Sequence, residues 1–245
     1  MLEHKQNQYP FPLLDSMPII SGGRLWGLVF GVALAEWLSV ILGDMHAGSE
    51  GLAIVISVVQ LVLPLSLFIG LFTVVGQQRF RHLFAPISFR DIGFTLVMFV
   101  LGTIYSAVMT NILTTTANTN VMSGSSLNHM QRLLLFAINE GSNIILLFNE
   151  ELLAIISFLA LAALARHYGH MTRNTSIIIG WVGSILLFGL LHYQAYDWNL
   201  VQMFLLIGMS RVFDTAIYIR TKNIMLSFLV HFIYDTIIFA VAMFG

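Results

Sequence analysis

Between Gly51 and Gln78 the chain carries no charged residue. A helix that crosses a hydrocarbon core needs roughly 20 mostly apolar residues, and the run 52–76 inside this stretch supplies them. Comparable runs occupy 25–43 (broken only by Glu36), 92–113, 174–196, about 199–218 with Arg211 and Asp214, and 224–244. Residues 133–165 are apolar apart from Glu140, Glu150 and Glu151. Over the whole chain 58% of residues are hydrophobic and 9% charged, against about 25% charged in soluble domains. So few polar residues cannot cover a globular surface, and most of the chain has lipid as its solvent. The expected fold class is all-α, a polytopic transmembrane helical bundle of about seven spans (six to eight). A net charge of −1 offers no basic stripe for phosphates, which argues against a nucleic-acid partner. The absence of cysteine removes disulfides, a thiol nucleophile and any Cys-based zinc site.

Residues 1–23 hold Glu3, Lys5, Asp15, Pro10, Pro12 and Pro18. They lack the charged head and apolar run of a cleavable signal and read as a cytosolic or interfacial lead-in to a single transmembrane domain, 24–245. Cytoplasmic loops are rich in Lys and Arg. Arg79, Arg81 and Arg90 separate spans two and three, Arg166 and Arg173 follow span four, and Arg220 and Lys222 precede the last. The loops at 44–51, 114–131 and 195–198 have no Lys or Arg. Seven crossings result, with the N-terminus cytoplasmic and the C-terminus outside. Span four is the irregularity, because 133–165 would make about 50 Å of helix. The expectation is one crossing at about 149–166, preceded by a helix that lies at the interface or dips in and out. Gly27 and Gly31 form a GxxxG, read as the ordinary glycine content of membrane helices rather than a packing motif.

An ionisable side chain at the centre of a membrane helix costs about 2.5–3.5 kcal/mol on insertion scales, so each one is a functional candidate. They are Glu36, Glu140, Glu150, Glu151, His192, Arg211, Asp214, His231 and Asp235. The loop residues His4, His46, His82 and His129 carry no such penalty, and His167 with His170 reads as a solvated pair. Glu150 and Glu151 are adjacent, His192 lies one turn after Phe188, and His231 and Asp235 are one turn apart on one face. Pointing these groups at one another in a shared wet cavity hides them from lipid. The depths disagree, however. His192 falls about 20 Å into its span and His231 about 10 Å into the last, a mismatch that tilt or shifted helix starts must absorb.

The order Glu150-Glu151, Phe188-x-x-x-His192 and His231-x-x-x-Asp235 resembles the CPBP family of intramembrane proteases. That family includes prenyl-protein (CAAX) endopeptidases and bacterial proteins tied to bacteriocin maturation and self-immunity. Gly208 and the segment leading into His231 look like its pattern too, and the resemblance covers about 145–245. One departure stands out. The family's first motif usually reads Glu-Glu-x-x-x-Arg, often with an aromatic before the arginine, and here those positions are Ala154 and Ile155. Arg211 is a candidate substitute, although a local ion pair with Asp214 at i,i+3 or snorkelling to the interface is the preferred reading.

Amide hydrolysis needs an activated water, an oxyanion donor and an acid for the leaving amine. The resemblance implies that Glu150 pairs with His192 to activate water while His231 and Asp235 hold the oxyanion. Glu151 would share a proton with Glu150 or orient an imidazole. Glu150, His192 and His231 also make a His₂Glu set of the kind that ligates Zn²⁺; a metal-free mechanism with no cofactor is preferred. The expected partners are a peptide or membrane-associated protein substrate and the lipid bilayer, in a bacterial cell membrane. Oligomeric state is not legible. Two other readings compete: a non-catalytic immunity or scaffold protein of the same fold, and a proton-coupled transporter using Glu150, His192 and His231 as a relay.

Overall fold

A computed structural model describes residues 9–15, 17–45, 49–113 and 128–244. The lead-in residues 1–8, with His4, the loop residue His46 and most of the 114–131 loop lie outside the described residues. Among the described residues seven α-helices follow in order: α1 (Gly22–Asp44), α2 (Glu50–Phe80), α3 (Phe89–Ile112), α4 (His129–His167), α5 (Arg173–Leu191), α6 (Met209–Thr221) and α7 (Ile224–Phe244). A π-helical stretch, Gln202–Gly208, leads into α6. Among the described residues five helical segments are long and apolar enough to cross a membrane: α3, α4, α5, Gln202–Thr221 and α7. The protein is an all-α, multi-pass membrane bundle.

The helix starts are written in local chemistry. Ser88 and Asp91 form a reciprocal capping box at α3, and Asn128 with Gln131 forms another at α4; each pair satisfies orphan N–H groups of the first turn. Thr172 accepts from the Thr175 backbone to open α5. Asn223 opens α7 by accepting from the Met225 and Leu226 backbones at 2.9 and 3.3 Å. Its amide also donates to the Ala85 carbonyl at 2.7 Å, which ties the start of α7 to the loop before α3.

Two features differ from the sequence reading. The fourth span is one unbroken helix of 39 residues, about 58 Å long, with no separate interfacial piece. Much of its second half is fully buried, from Glu151 through Ala160, whereas most of residues 129–146 are exposed. The second difference lies in residues 11–14, which are buried in the bundle. Phe11, Leu13 and Leu14 are buried in the main core, and Asp15 pairs with Arg173 through two bonds of 2.9 Å. His167, expected in a solvated pair, instead bonds the Leu14 carbonyl at 2.9 Å.

These two features answer the depth problem. Glu150 lies roughly 25 Å from the end of α4, and His231 roughly 10 Å from the start of α7. They meet because the α4–α5 hairpin projects beyond the α6–α7 turn. The segment around Phe11 fills that step, touching Phe158 on α4, Tyr218 on α6 and the Lys222 ammonium at the turn.

Close approach of α5 to α4 sets the register. A Cβ at Gly180 would stand 2.5 Å from the Phe158 carbonyl oxygen and 2.7 Å from the Ala162 Cβ, so only glycine fits. One turn on, the Ser184 hydroxyl donates to the Ala154 carbonyl at 2.7 Å. Each step of four along α5 thus answers a step of four back along α4. The next pair in that register is Phe188 with Glu150, and His192 follows one turn later. Gly27 and Gly31 would meet nothing within 4 Å, in keeping with their reading as ordinary membrane-helix glycines.

Candidate active site

A cavity of about 270 Å³ opens between α3, α6 and α7, with Glu150 of α4 and His192 at the end of α5 closing one side. Its apolar wall includes Met98, Phe99, Phe213 and Phe239, and its polar wall includes Arg211, Asp214, His231 and Asp235. Of the five residues singled out from the sequence, Glu150, His192, His231 and Asp235 line it; Glu151 stands just behind and is fully buried.

The distances give each group a different standing. Glu150 Oε2 lies 3.8 Å from His192 Nε2 and 3.8 Å from His231 Nε2. Glu150 accepts no hydrogen bond among the described residues, and its side chain is 25% exposed. Glu151 is the opposite case. Its Oε2 accepts from Arg211 Nη2 at 2.6 Å, and its Oε1 accepts from the Ser227 hydroxyl. Asp235 Oδ2 lies 3.6 Å from His231 Nε2.

Hydrogen bonds fix the two imidazoles in opposite forms. His192 Nδ1 lies 2.8 Å from the Phe188 carbonyl. A carbonyl can only accept, so Nδ1 carries the proton and Nε2 keeps a lone pair toward Glu150. His231 Nδ1 lies 3.2 Å from Arg211 Nη1. A guanidinium can only donate, so here Nδ1 is the acceptor, and the neutral ring carries its proton on Nε2, facing Glu150 and Asp235. One imidazole presents a lone pair to Glu150, the other an N–H.

Residues 143–237 match the family described as type II CAAX prenyl endopeptidase Rce1-like. This segment is Rce1-like. It contains all five singled-out residues, so the likeness to CAAX-type endopeptidases falls on the part of the chain that lines the cavity. No curated protein and no solved structure gives a match.

Around the Rce1-like segment the structure adds groups that sequence reasoning left aside. Arg211 was expected to pair locally or to snorkel; it pairs with Asp214 at 3.3 Å, yet it is only 2% exposed and its shortest bond is to Glu151. Ser227 escaped notice because serine carries no penalty in a membrane, although it sits one turn before His231 on the same face as Asp235. Glu36 of α1, outside the Rce1-like segment, comes close enough to Glu150 and His192 for their charges to interact. Tyr196, in the turn after α5, also lines the cavity. Burial pushes its phenol up to about 12, with Asp235, Glu150 and Tyr234 adding to the shift, so it stays a neutral O–H at any physiological pH. Glu140 is bound to Thr236 at 2.6 Å and Asn143 at 3.2 Å and comes close enough to Asp235 for their charges to interact.

Proposed function

We propose that the protein is an intramembrane endopeptidase in which Glu150 and His192 activate water and His231, with Asp235, holds the oxyanion. The observation that carries this reading is the open Glu150 carboxylate facing one imidazole lone pair and one imidazole N–H. A gap of 3.8 Å is too long for a direct hydrogen bond and short enough for one water to bridge Glu150 and His192. Glu150 takes the proton as the water oxygen bonds to the scissile carbonyl carbon. The carbonyl oxygen becomes an oxyanion and accepts from His231 Nε2–H, and from Asp235 when that group is protonated. As the C–N bond breaks, the proton on Glu150 passes to the leaving amine.

The donor set does not fit zinc. A His₂Glu shell needs a lone pair on both imidazoles, and the His231 atom that faces Glu150 carries a proton because Arg211 occupies the other nitrogen. The mechanism is therefore metal-free. Arg211 on Glu151 also supplies a guanidinium for the departure at Ile155. The substrate is a peptide segment with apolar side chains against Met98, Phe99 and Phe239, delivered from the bilayer or its surface. The basic loops support a cytosolic N-terminus and an external C-terminus.

The test uses detergent-purified protein and quenched fluorescent peptides ending in a CAAX sequence, prenylated and unprenylated. Glu150→Ala, His192→Ala and His231→Ala are each expected to lower kcat about a thousandfold, and chelators to leave the wild type active. Cleavage retained by all three variants would remove the assignment. Activity lost to a chelator and restored by Zn²⁺ would overturn the metal-free mechanism.

A further inference from the structure

Arg211 touches both glutamate-bearing and histidine-bearing parts of the site without facing Glu150 directly. It is anchored on four sides: Nη2 donates to Glu151 Oε2 at 2.6 Å, and Nη1 lies 3.3 Å from Asp214 Oδ2 and 3.2 Å from His231 Nδ1. Its guanidinium carbon stacks 4.6 Å over the Phe188 ring, and Phe188 is the residue whose carbonyl holds His192. The planar fork thus has little freedom to turn away.

His231 Nδ1 has a second neighbour, Glu151 Oε2, at 3.8 Å. A carboxylate only accepts, so Glu151 draws the ring proton to Nδ1, while Glu150 and Asp235, 3.8 and 3.6 Å from Nε2, draw it to the cavity side. Arg211 stands between these outcomes. It occupies Glu151 and offers Nδ1 a donor, which sends the ring proton to Nε2.

We infer that Arg211 is a positioning residue that fixes His231 as its Nε2–H form, and that it brings to Glu151 from α6 the guanidinium absent at Ile155. This inference rests on the peptidase reading for its consequence in rate, but its structural content does not. Arg211 never reaches the scissile carbonyl; it acts through the imidazole that does.

The experiment takes the full-length protein, labelled with ¹⁵N-histidine, and reads the tautomer of His231 from its two-bond proton–nitrogen correlations. The signal is assigned by its absence in His231→Gln. Wild type is expected to show Nε2–H. Arg211→Met is expected to shift the proton to Nδ1 and to lower kcat about 100-fold or more at unchanged KM. Arg211→Lys, which keeps a donor, is expected to restore Nε2–H and part of the rate. An Nδ1–H signal in the wild type overturns the inference even if Arg211→Met does not fold. So does Arg211→Met with Nε2–H intact. A wild type with Nε2–H that cleaves nothing supports the tautomer assignment and counts against the peptidase reading alone.

Discussion

The two sides of the cavity hold their polar groups in contrasting ways. On the α4–α5 side, Glu150 accepts no hydrogen bond among the described residues and His192 is held by a single bond to the Phe188 carbonyl. On the α6–α7 side, Arg211, Asp214, Glu151, Ser227 and His231 are joined by hydrogen bonds. Adjacent glutamates on one helix fall on opposite sides of this divide. A buried charge is tolerable when it is paired and hydrogen-bonded, so the saturated side stabilises the charge there and fixes directions. The open side keeps a carboxylate and a lone pair available for chemistry, which a saturated site would not leave free.

Pulling the open side away from the saturated side should have the larger structural effect. Gly180→Leu forces a side chain into the Phe158 carbonyl and Ala162, and is expected to cost about 3 kcal/mol as overpacking. It should also lower kcat by moving His192 relative to Glu150; thermal unfolding in detergent and cleavage assays on one preparation check both. Loosening the saturated side by one bond should do less. Ser227→Ala leaves Glu151 Oε1 without its donor, a loss of about 1–2 kcal/mol, while Arg211 still holds Oε2. Stability should drop with cleavage largely kept. A Ser227→Ala protein as stable as wild type would show that the network is not what holds Glu151.

Much of this was legible in the chain. Apart from α4 and α6, uncharged runs gave the helices to within a few residues, because the membrane penalises every unpaired polar group and leaves little freedom in assignment. For the same reason the ionisable residues stranded in those runs meet at one cavity, and the periodicity of four placed His231 and Asp235 together. Three things were not readable. The continuity of α4 from His129 to His167 is one, because Glu140, Glu150 and Glu151 look in the sequence like the end of a span. The burial of Phe11, Leu13 and Leu14 depends on a step between hairpins that exists only once α4–α5 and α6–α7 have assembled. The partnership of Arg211 with Glu151 joins residues 60 apart in sequence, whereas the visible partner, Asp214, is one turn away. Helical spacing reveals the near contact and is silent on the far one.

The division of labour between Glu150 and Glu151 is the centre of the account, and a paired comparison of Glu150→Gln with Glu151→Gln tests it most directly. With unfolding and peptide cleavage measured on the same samples, Glu150→Gln should keep its stability to within about 0.5 kcal/mol and lose about a thousandfold in kcat. Glu151→Gln should lose about 2–3 kcal/mol by leaving Arg211 with Asp214 as its remaining carboxylate. If Glu150→Gln cleaved like the wild type, or if Glu151→Gln unfolded at the wild-type temperature, the contrast between an open and a saturated glutamate would be wrong.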